Sequence, residues 1–364
     1  MENIMEKFNV GIIGATGMVG QRFITILASH PWFNIVALAA SSRSAGKTYE
    51  EAIGSRWVMD ASIPEFIKKM PVYDAEADAV KMAQQVEVVF CAVDMKKDEI
   101  RALEEKYARL EVAVISNNSA HRSTPDVPMI IPELNADHSE VITAQKKRLG
   151  TKRGFIAVKS NCSLQSYVPA LFPLTKFGIT NVLACTYQAI SGAGKTFERW
   201  PEMVDNIIPY IGGEEEKSEN EPLKIWGHVE NGVIVNAQCP NITTQCIRVP
   251  VSNGHTAAVF ASFEKKPSKD EILEIWKNFK GDPQIFALPS APKQFLHYFE
   301  ENDQPQIKTA RELEGGMAIS IGRLREDKQY DIKFVCMSHN TLRGAAGGAV
   351  LMAELLVTQG FIEK

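Results

Sequence analysis

The run Gly14-Ala15-Thr16-Gly17-Met18-Val19-Gly20 constrains the fold of this chain more than any other segment. It sits between the apolar stretch Phe8–Gly14 and a helical pattern that stops near Pro31. A glycine turn between a strand and a helix lets the backbone bend tightly and approach a pyrophosphate. The helix that follows offers free N–H groups and the positive end of its dipole. The spacing of Gly14, Gly17 and Gly20 is three and three, not the commoner G-x-G-x-x-G, so strand before and helix after are what give it weight. Gly14, Thr16, Gly17, Met18 and Val19 are the candidate dinucleotide contacts, with the Thr16 hydroxyl available to a phosphate. An ordinary strand-to-helix turn is the plainer alternative.

The pattern continues through strands over 33–41, 86–93 and 111–116 and a charged helix over 96–109. Short apolar strands alternating with helices predict a doubly wound parallel sheet of Rossmann type. The basic run 143–153 reads as a solvated loop. Beyond about residue 160 the texture changes to longer β-rich runs: 181–191, 232–240, 245–252, 255–263, 317–326 and 329–338. These predict an α+β catalytic and dimerisation domain with a mostly antiparallel sheet, flanked by helices over 163–176 and 268–280. The acidic run 212–224 is expected to be exposed. The last stretch, 340–358, reads as a helix with small residues on one side and Leu and Val on the other.

At 364 residues the chain suits two domains. A formal net charge of −4 gives no reason to expect nucleic acid or an anionic membrane as a partner. No stretch has the roughly 18 apolar residues of a membrane helix. The start, MENIMEKFNV, lacks the basic region and apolar core of a signal peptide. A cytoplasmic enzyme is therefore expected. The cysteines are Cys91, Cys162, Cys185, Cys239, Cys246 and Cys336, with no C-x-x-C pair and no zinc-ligand spacing, so neither a metal nor a disulfide framework is expected. Most should be small buried hydrophobes.

The end of the second strand bears on which dinucleotide binds. NAD enzymes usually carry Asp or Glu there for the ribose 2′-hydroxyl. Here Ser41-Ser42-Arg43 follows, and an arginine with hydroxyls suits the 2′-phosphate of NADP. Four other residues invite a chemical reading, and each has a plain structural one. Cys162 precedes an apolar helical run, where a helix N-terminus stabilises a thiolate. His255 opens a strand after an Asn-Gly turn. Gln188 sits at an apolar strand end, where a buried amide needs partners. Arg248, among apolar residues, suits two-pronged capture of a carboxylate or phosphate.

Together these pieces resemble the aspartate-semialdehyde dehydrogenase family, in its archaeal and fungal branch, over nearly the whole chain. The segments that carry the resemblance are G-A-T-G-M-V-G-Q-R-F, S-S-R-S-A-G-K, S-N-N-S-A-H-R, I-I-P-E-L-N, S-N-C-S, T-Y-Q-A-I-S-G-A-G, G-E-E-E-K, R-V-P-V-S-N-G-H-T and N-T-L-R-G-A-A-G-G-A, in family order. The resemblance implies an NADP-dependent enzyme that reduces aspartyl phosphate to aspartate semialdehyde through a thioester on Cys162. It implies His255 as general acid/base, with an ordinary pKa of about 6.5, and Gln188 orienting substrate or thiol. Arg248 would hold the substrate carboxylate. Glu214 would meet its ammonium, with Glu215 and Glu216 open as alternatives. Lys217, Arg122 and Asn161 would form a phosphate pocket. Asn340 would contact the nicotinamide carboxamide, and Ser191 and Gly192 would line the cofactor path.

The last helix would return to the first domain, giving a cofactor domain of 1–160 and 340–364 and a catalytic and dimerisation domain of 161–339. The assembly implied is a homodimer, or two dimers paired as a homotetramer. A malonyl-CoA reductase of the same superfamily, or an inactive NADP-binding protein, are the competing readings.

Overall fold

The computed structural model describes residues 6–364; the first five residues of the segment read above as lacking a leader lie outside the described residues. Strands β1 (Phe8–Ile13), β2 (Phe33–Ala40), β3 (Val72–Asp74), β4 (Val88–Cys91), β5 (Ala113–Ser116) and β6 (Phe155–Val158) form one sheet in the order β3-β2-β1-β4-β5-β6. Every neighbouring pair in it is parallel. This is the doubly wound arrangement, whose strand order reverses between β1 and β4, where such sheets bind dinucleotides. The short strand β3 and the isolated strand β6 carry too little periodicity to be legible before folding, and both went unread.

The second sheet holds β7 (Ile179–Gln188), β10 (Asn241–Arg248), β11 (His255–Phe263), β12 (Leu296–Phe299), β13 (Ile319–Glu326) and β14 (Ile332–Ser338), in the order β10-β7-β11-β14-β13-β12. Its central pairs are antiparallel and its two outer pairs, β10 with β7 and β12 with β13, are parallel. The run read as one strand over 232–240 is instead half of a separate hairpin, β8 (His228–Glu230) with β9 (Val233–Val235).

Seven helices matter for the site. Helix α1 (Met18–Leu27) follows the glycine turn and α2 (Lys97–Arg109) links β4 to β5. Helix α3 (Val141–Leu149) corrects the expected solvated loop over 143–153. Gly150, at φ +73°, ends it, Lys146 lies 5.3 Å over the Phe155 ring, and Arg148 pairs with Asp126. Its basic residues cover apolar surface with their stems while their charges reach partners, which a composition rule misses.

Helix α4 (Leu164–Leu171) is buried along its whole length and runs into a 3-10 segment to Phe177. Helix α5 (Glu214–Ile225) corrects the exposed reading of 212–224, because Glu214, Ser218, Glu221 and Lys224 point inward. Lys224 donates to the carbonyls of Arg122, Thr124 and Val127 at 2.8, 2.7 and 2.8 Å. Helix α6 (Lys269–Asn278) starts at Ser268, whose side chain and that of Glu271 cap each other's backbone.

Helix α7 (Gly347–Thr358) follows a π-helical turn over Leu342–Ala346. It is buried on all sides from Gly347 to Leu356, not split into two faces as expected. It packs with Phe23 and Ile24 of α1 against the first sheet, and each fully buried leucine there contributes on the order of 2 kcal/mol. Cys91, Cys246 and Cys336 are buried as expected, whereas Cys239 is exposed and Cys162 and Cys185 are half-buried. Among the described residues no helix is long and apolar enough to cross a membrane.

Candidate active site

One end of the second sheet gathers the candidate chemistry. Gln188 and Arg248 are register partners at the C-terminal ends of the parallel strands β7 and β10. His255 opens the antiparallel neighbour β11 and pairs with Ser338 at the end of β14. Asn340 lies two residues beyond. Antiparallel order thus brings the start of one strand beside the ends of the others.

Cys162 sits just before α4, in a turn held by Asn161. The Asn161 side-chain oxygen accepts from the Ser163 amide at 2.8 Å and the Ser163 hydroxyl at 2.7 Å. Cys162 Sγ lies 3.4 Å from His255 Nε2. The other ring nitrogen, Nδ1, accepts from the Ala189 amide at 3.0 Å. That bond assigns the neutral ring its proton on Nε2, facing sulfur. Burial, with the Arg248 guanidinium next, pushes the imidazole down to about 3, so the expected ordinary value near 6.5 does not hold. Burial, with Glu214 next, holds the Cys162 thiol above its ordinary value; Lys159, Arg122 and Arg248 offset part of that rise.

Around the thiol is a cavity of about 320 Å³, lined among others by Cys162, Gln188, Ser191, Gly192, Arg248 and Asn340. Arg248 Nη1 donates to the Ala189 carbonyl at 2.7 Å. Gly192 passes so close that an added Cβ would lie 2.8 Å from Arg248 Nη1, which explains a glycine there. Glu214 also lines the cavity and separates itself from its neighbours. It accepts from Asn161 Nδ2 at 3.0 and 2.9 Å, Lys217 Nζ at 2.7 Å and Gln188 Nε2 at 3.4 Å. Glu215 turns away to Gln245 and the Cys246 amide, and Glu216 lines an adjoining cavity of about 530 Å³. Although burial opposes it, contact with Lys217, Asn161 and Gln188 holds Glu214 below the ordinary carboxylate value.

Arg122 and Lys217 line both cavities. Arg122 donates to Glu221 at 2.9 Å, to the Lys159 carbonyl at 2.9 Å and to the Asn117 carbonyl at 3.0 Å. An incoming phosphate would compete with Glu221 and Glu214 for these cations. Glu221, which also accepts from the Asn161 amide at 2.7 Å, was missed in the sequence. Its signal was its spacing, seven residues after Glu214 on the same helix face. Lys159 and the buried pair of Arg343 with Glu133 were missed as well.

The cofactor candidates divide between two places. Gly14, Thr16, Gly17, Ser41, Ser42 and Arg43 line a cavity of about 460 Å³ at the reversal between β1 and β4. Val19 instead lines the thiol cavity, and Met18 lines neither. A Cβ on Gly14 would lie 2.1 Å from the Ala92 carbonyl oxygen, and one on Gly20 2.2 Å from that of Gly14. Helix α1 has no side-chain cap and no acid in its first turn, so its N–H groups are open to an anion. These features fit a dinucleotide pyrophosphate, and Arg43 fits a 2′-phosphate. Asp74 and Glu76 share the cavity, but Asp74 is engaged by the amides of Glu76 and Ala77 at 2.9 and 2.8 Å. Asn340 donates to Ser191 Oγ at 2.9 Å and accepts from the Gly254 amide at 2.8 Å, tying the cofactor path to the strand that carries His255.

Two family models match the chain: "Semialdehyde dehydrogenase, NAD binding domain" over residues 9–142, and "Semialdehyde dehydrogenase, dimerisation domain" over 171–343. The chain is 42% identical to the aspartate-semialdehyde dehydrogenase of Methanothermobacter thermautotrophicus over 96% of its own length and 98% of that protein. It is 40% identical to that of Schizosaccharomyces pombe, covering 97% of this chain and 99% of the other. The crystal structure of the Candida albicans enzyme with NADP superposes with a TM-score of 0.88 at 36% identity, over 98% of this chain and 100% of that one.

Proposed function

The chain belongs to the aspartate-semialdehyde dehydrogenase family, and from that premise we propose that Cys162 carries its reaction as a thioester. The reaction is the NADPH-dependent reductive dephosphorylation of L-aspartyl 4-phosphate to L-aspartate 4-semialdehyde, which serves lysine, methionine and threonine biosynthesis. The observation that carries the assignment is the 3.4 Å approach of Cys162 Sγ to His255 Nε2 at the edge of a cavity holding Arg248 and Glu214.

The Cys162 thiolate attacks the acyl carbon, and the C–O bond to phosphate breaks to leave a thioester. NADPH, when bound, supplies the hydride that reduces the thioester carbonyl. The resulting hemithioacetal oxyanion re-forms its carbonyl and expels the thiolate unchanged. A thiolate enters and a thiolate leaves, so no net proton passes through the nucleophile. A neutral His255 bearing its proton on Nε2 then suffices as a hydrogen-bond donor beside sulfur and the developing oxyanion. This narrows the acid/base role implied by the resemblance.

Arg248 offers its remaining N–H groups to the substrate carboxylate, and Glu214 offers a carboxylate to its ammonium, with Gln188 holding Glu214 in place. Arg122, Lys217 and Asn161 receive the phosphate. Gly14, Thr16, Gly17, Ser41, Ser42 and Arg43 hold the dinucleotide, with Ser191, Gly192 and Asn340 on the nicotinamide side. The packing of α7 on the first sheet supports a cofactor domain of 1–160 and 340–364 beside a catalytic and dimerisation domain of 161–339. The assembly is a dimer, and pairing of two dimers into a tetramer is the larger state to look for.

Glu214 favours an aminated substrate over a CoA thioester, against the malonyl-CoA reductase alternative. Purified protein should oxidise aspartate semialdehyde only when NADP and phosphate (or arsenate) are both present, and Cys162→Ala should abolish turnover with NADP affinity kept. Turnover of malonyl-CoA in place of the semialdehyde would overturn the substrate assignment.

A further inference from the structure

Near the nucleophile, outside the lining of its cavity, lies a buried lysine that the reaction above does not use. Lys159 follows the last residue of β6 and is 1% exposed. Its Nζ donates to the Ser160 carbonyl at 2.8 Å. Among the described residues no carboxylate lies within 4.0 Å of that ammonium. A buried lysine without a counter-ion is costly to keep, and an apolar side chain would fill the space at less cost.

The packing of the C-terminal segment shows where the ammonium lies relative to the thiol. A Cβ on Gly344 would lie 3.0 Å from Cys162 Cβ, and one on Gly348 would lie 3.3 Å from Lys159 Cε. The two glycines are about one helical turn apart, roughly 5 Å along the axis. The thiol side chain and the end of the lysine stem therefore press on one glycine face of the same segment. Lys159 does not line the cavity that Cys162 lines, so its ammonium stays out of the space left for substrate.

We propose that Lys159 is the built-in counter-ion of the Cys162 thiolate, a positioning residue that favours the ionised nucleophile from outside the substrate cavity. The proposal rests on Cys162 being the nucleophile. The groups that face this pair are Arg122, Arg343 and Glu221 around the lysine, and Glu214, Arg248 and His255 around the thiol. Arg343 is already neutralised by Glu133 and Arg122 by Glu221. Of the cations around the thiol that have no carboxylate partner among the described residues, Arg248 lines the cavity on the substrate side and Lys159 does not. Burial pulls Lys159 down to about 7, and the thiolate is the largest influence pushing it back up. Lysine is also the largest cationic influence lowering the thiol. The His255 proton already faces sulfur, so the imidazole cannot take the thiol proton, and an internal cation does the work of ionising it.

The test is the pH dependence of Cys162 alkylation by iodoacetamide in the full-length protein, read at that cysteine by peptide mass spectrometry because Cys239 is exposed. Lys159→Met and Lys159→Gln should each raise the alkylation midpoint by about one to three pH units. Labelling at neutral pH should fall by about tenfold or more, with NADP affinity unchanged. A midpoint equal to wild type in both variants, even with activity lost, would make Lys159 a packing residue and overturn the proposal. Should both variants fail to fold, a proton-release titration of Cys162→Ser decides. Without its thiolate partner, Lys159 should release a proton between pH 6 and 8 that wild type retains, as reciprocal coupling requires. Identical or smaller release would overturn it. Full turnover by Cys162→Ser would instead sink the nucleophile assignment, and the alkylation shift would still report on the lysine.

Discussion

The Ala189 amide donates to His255 Nδ1 at 3.0 Å, and this one bond decides what His255 can do. It places the neutral ring's proton on Nε2, and an imidazolium would set an N–H against the Ala189 N–H. Ala189 directly follows Gln188 at the end of β7, so the strand that supplies the amide also sets the tautomer of its neighbour. His255→Ala should therefore lower kcat by about 10²–10³-fold, as loss of an oxyanion donor does. His255→Gln, which keeps an N–H, should recover part of it. The wild-type kcat/KM profile should show no His255 ionisation between pH 5 and 7. A break there that vanishes in His255→Gln would mean the imidazolium is active after all.

Arg248 has one nitrogen committed to the Ala189 carbonyl and the others open to the cavity. Lysine keeps the charge but lacks the planar fork. Arg248→Lys should raise the KM for aspartate semialdehyde by about tenfold or more, the scale of a lost charge-assisted hydrogen bond. Steady-state kinetics at saturating NADP measure this, and an unchanged KM removes Arg248 from carboxylate binding.

Arg43 is exposed beyond the end of β2, in a cavity that also holds Asp74 and Glu76. Arg43→Ala should raise the KM for NADP by about tenfold or more and leave that for NAD nearly unchanged, because only the 2′-phosphate needs the cation. Equal effects on the two cofactors would exclude Arg43 from 2′-phosphate recognition.

Lys159 also makes a prediction about stability, separate from the nucleophile. Its folded-state value of about 7 lies below the unfolded value of about 10.4. Between those values the unfolded chain binds more protons, so this group makes the protein more stable as pH rises through that window. Below the window its contribution is a penalty of a few kcal/mol. Lys159→Met should remove that pH dependence and raise Tm at pH 6 while slowing the chemistry, as active-site groups kept against stability do. Thermal melts of both proteins at pH 6 and pH 9 read it directly. A variant less stable than wild type at pH 6 contradicts the prediction.

The parts legible in the chain were those with a local signal. The glycine turn at Gly14–Gly20 announced the first sheet because its spacing between an apolar strand and a helical pattern is local in the chain. The β-rich run 255–263 announced β11, and the helical stretch over 268–280 announced α6. The motif order along the chain announced the family and, through it, Cys162, Gln188, Arg248 and His255. The acidic run after Gly213 misled because composition cannot say which face of a helix turns inward. Its burial of Glu214 and Glu221 depends on partners far away in sequence, Asn161 and Arg122.

By itself, then, the sequence determined the fold class and the family and, through the family, pointed to Cys162 as the candidate nucleophile, since these rest on spacing and order. Only the tertiary structure decided the chemistry around that nucleophile. It turned Glu214, of three adjacent glutamates, onto Asn161 at the cavity, set the His255 proton through Ala189, and buried Lys159. The physical reason is common to all three. Charge, tautomer and ionisation depend on desolvation and on partners within a few ångströms, and those partners come from strands and helices that meet only when the chain is folded.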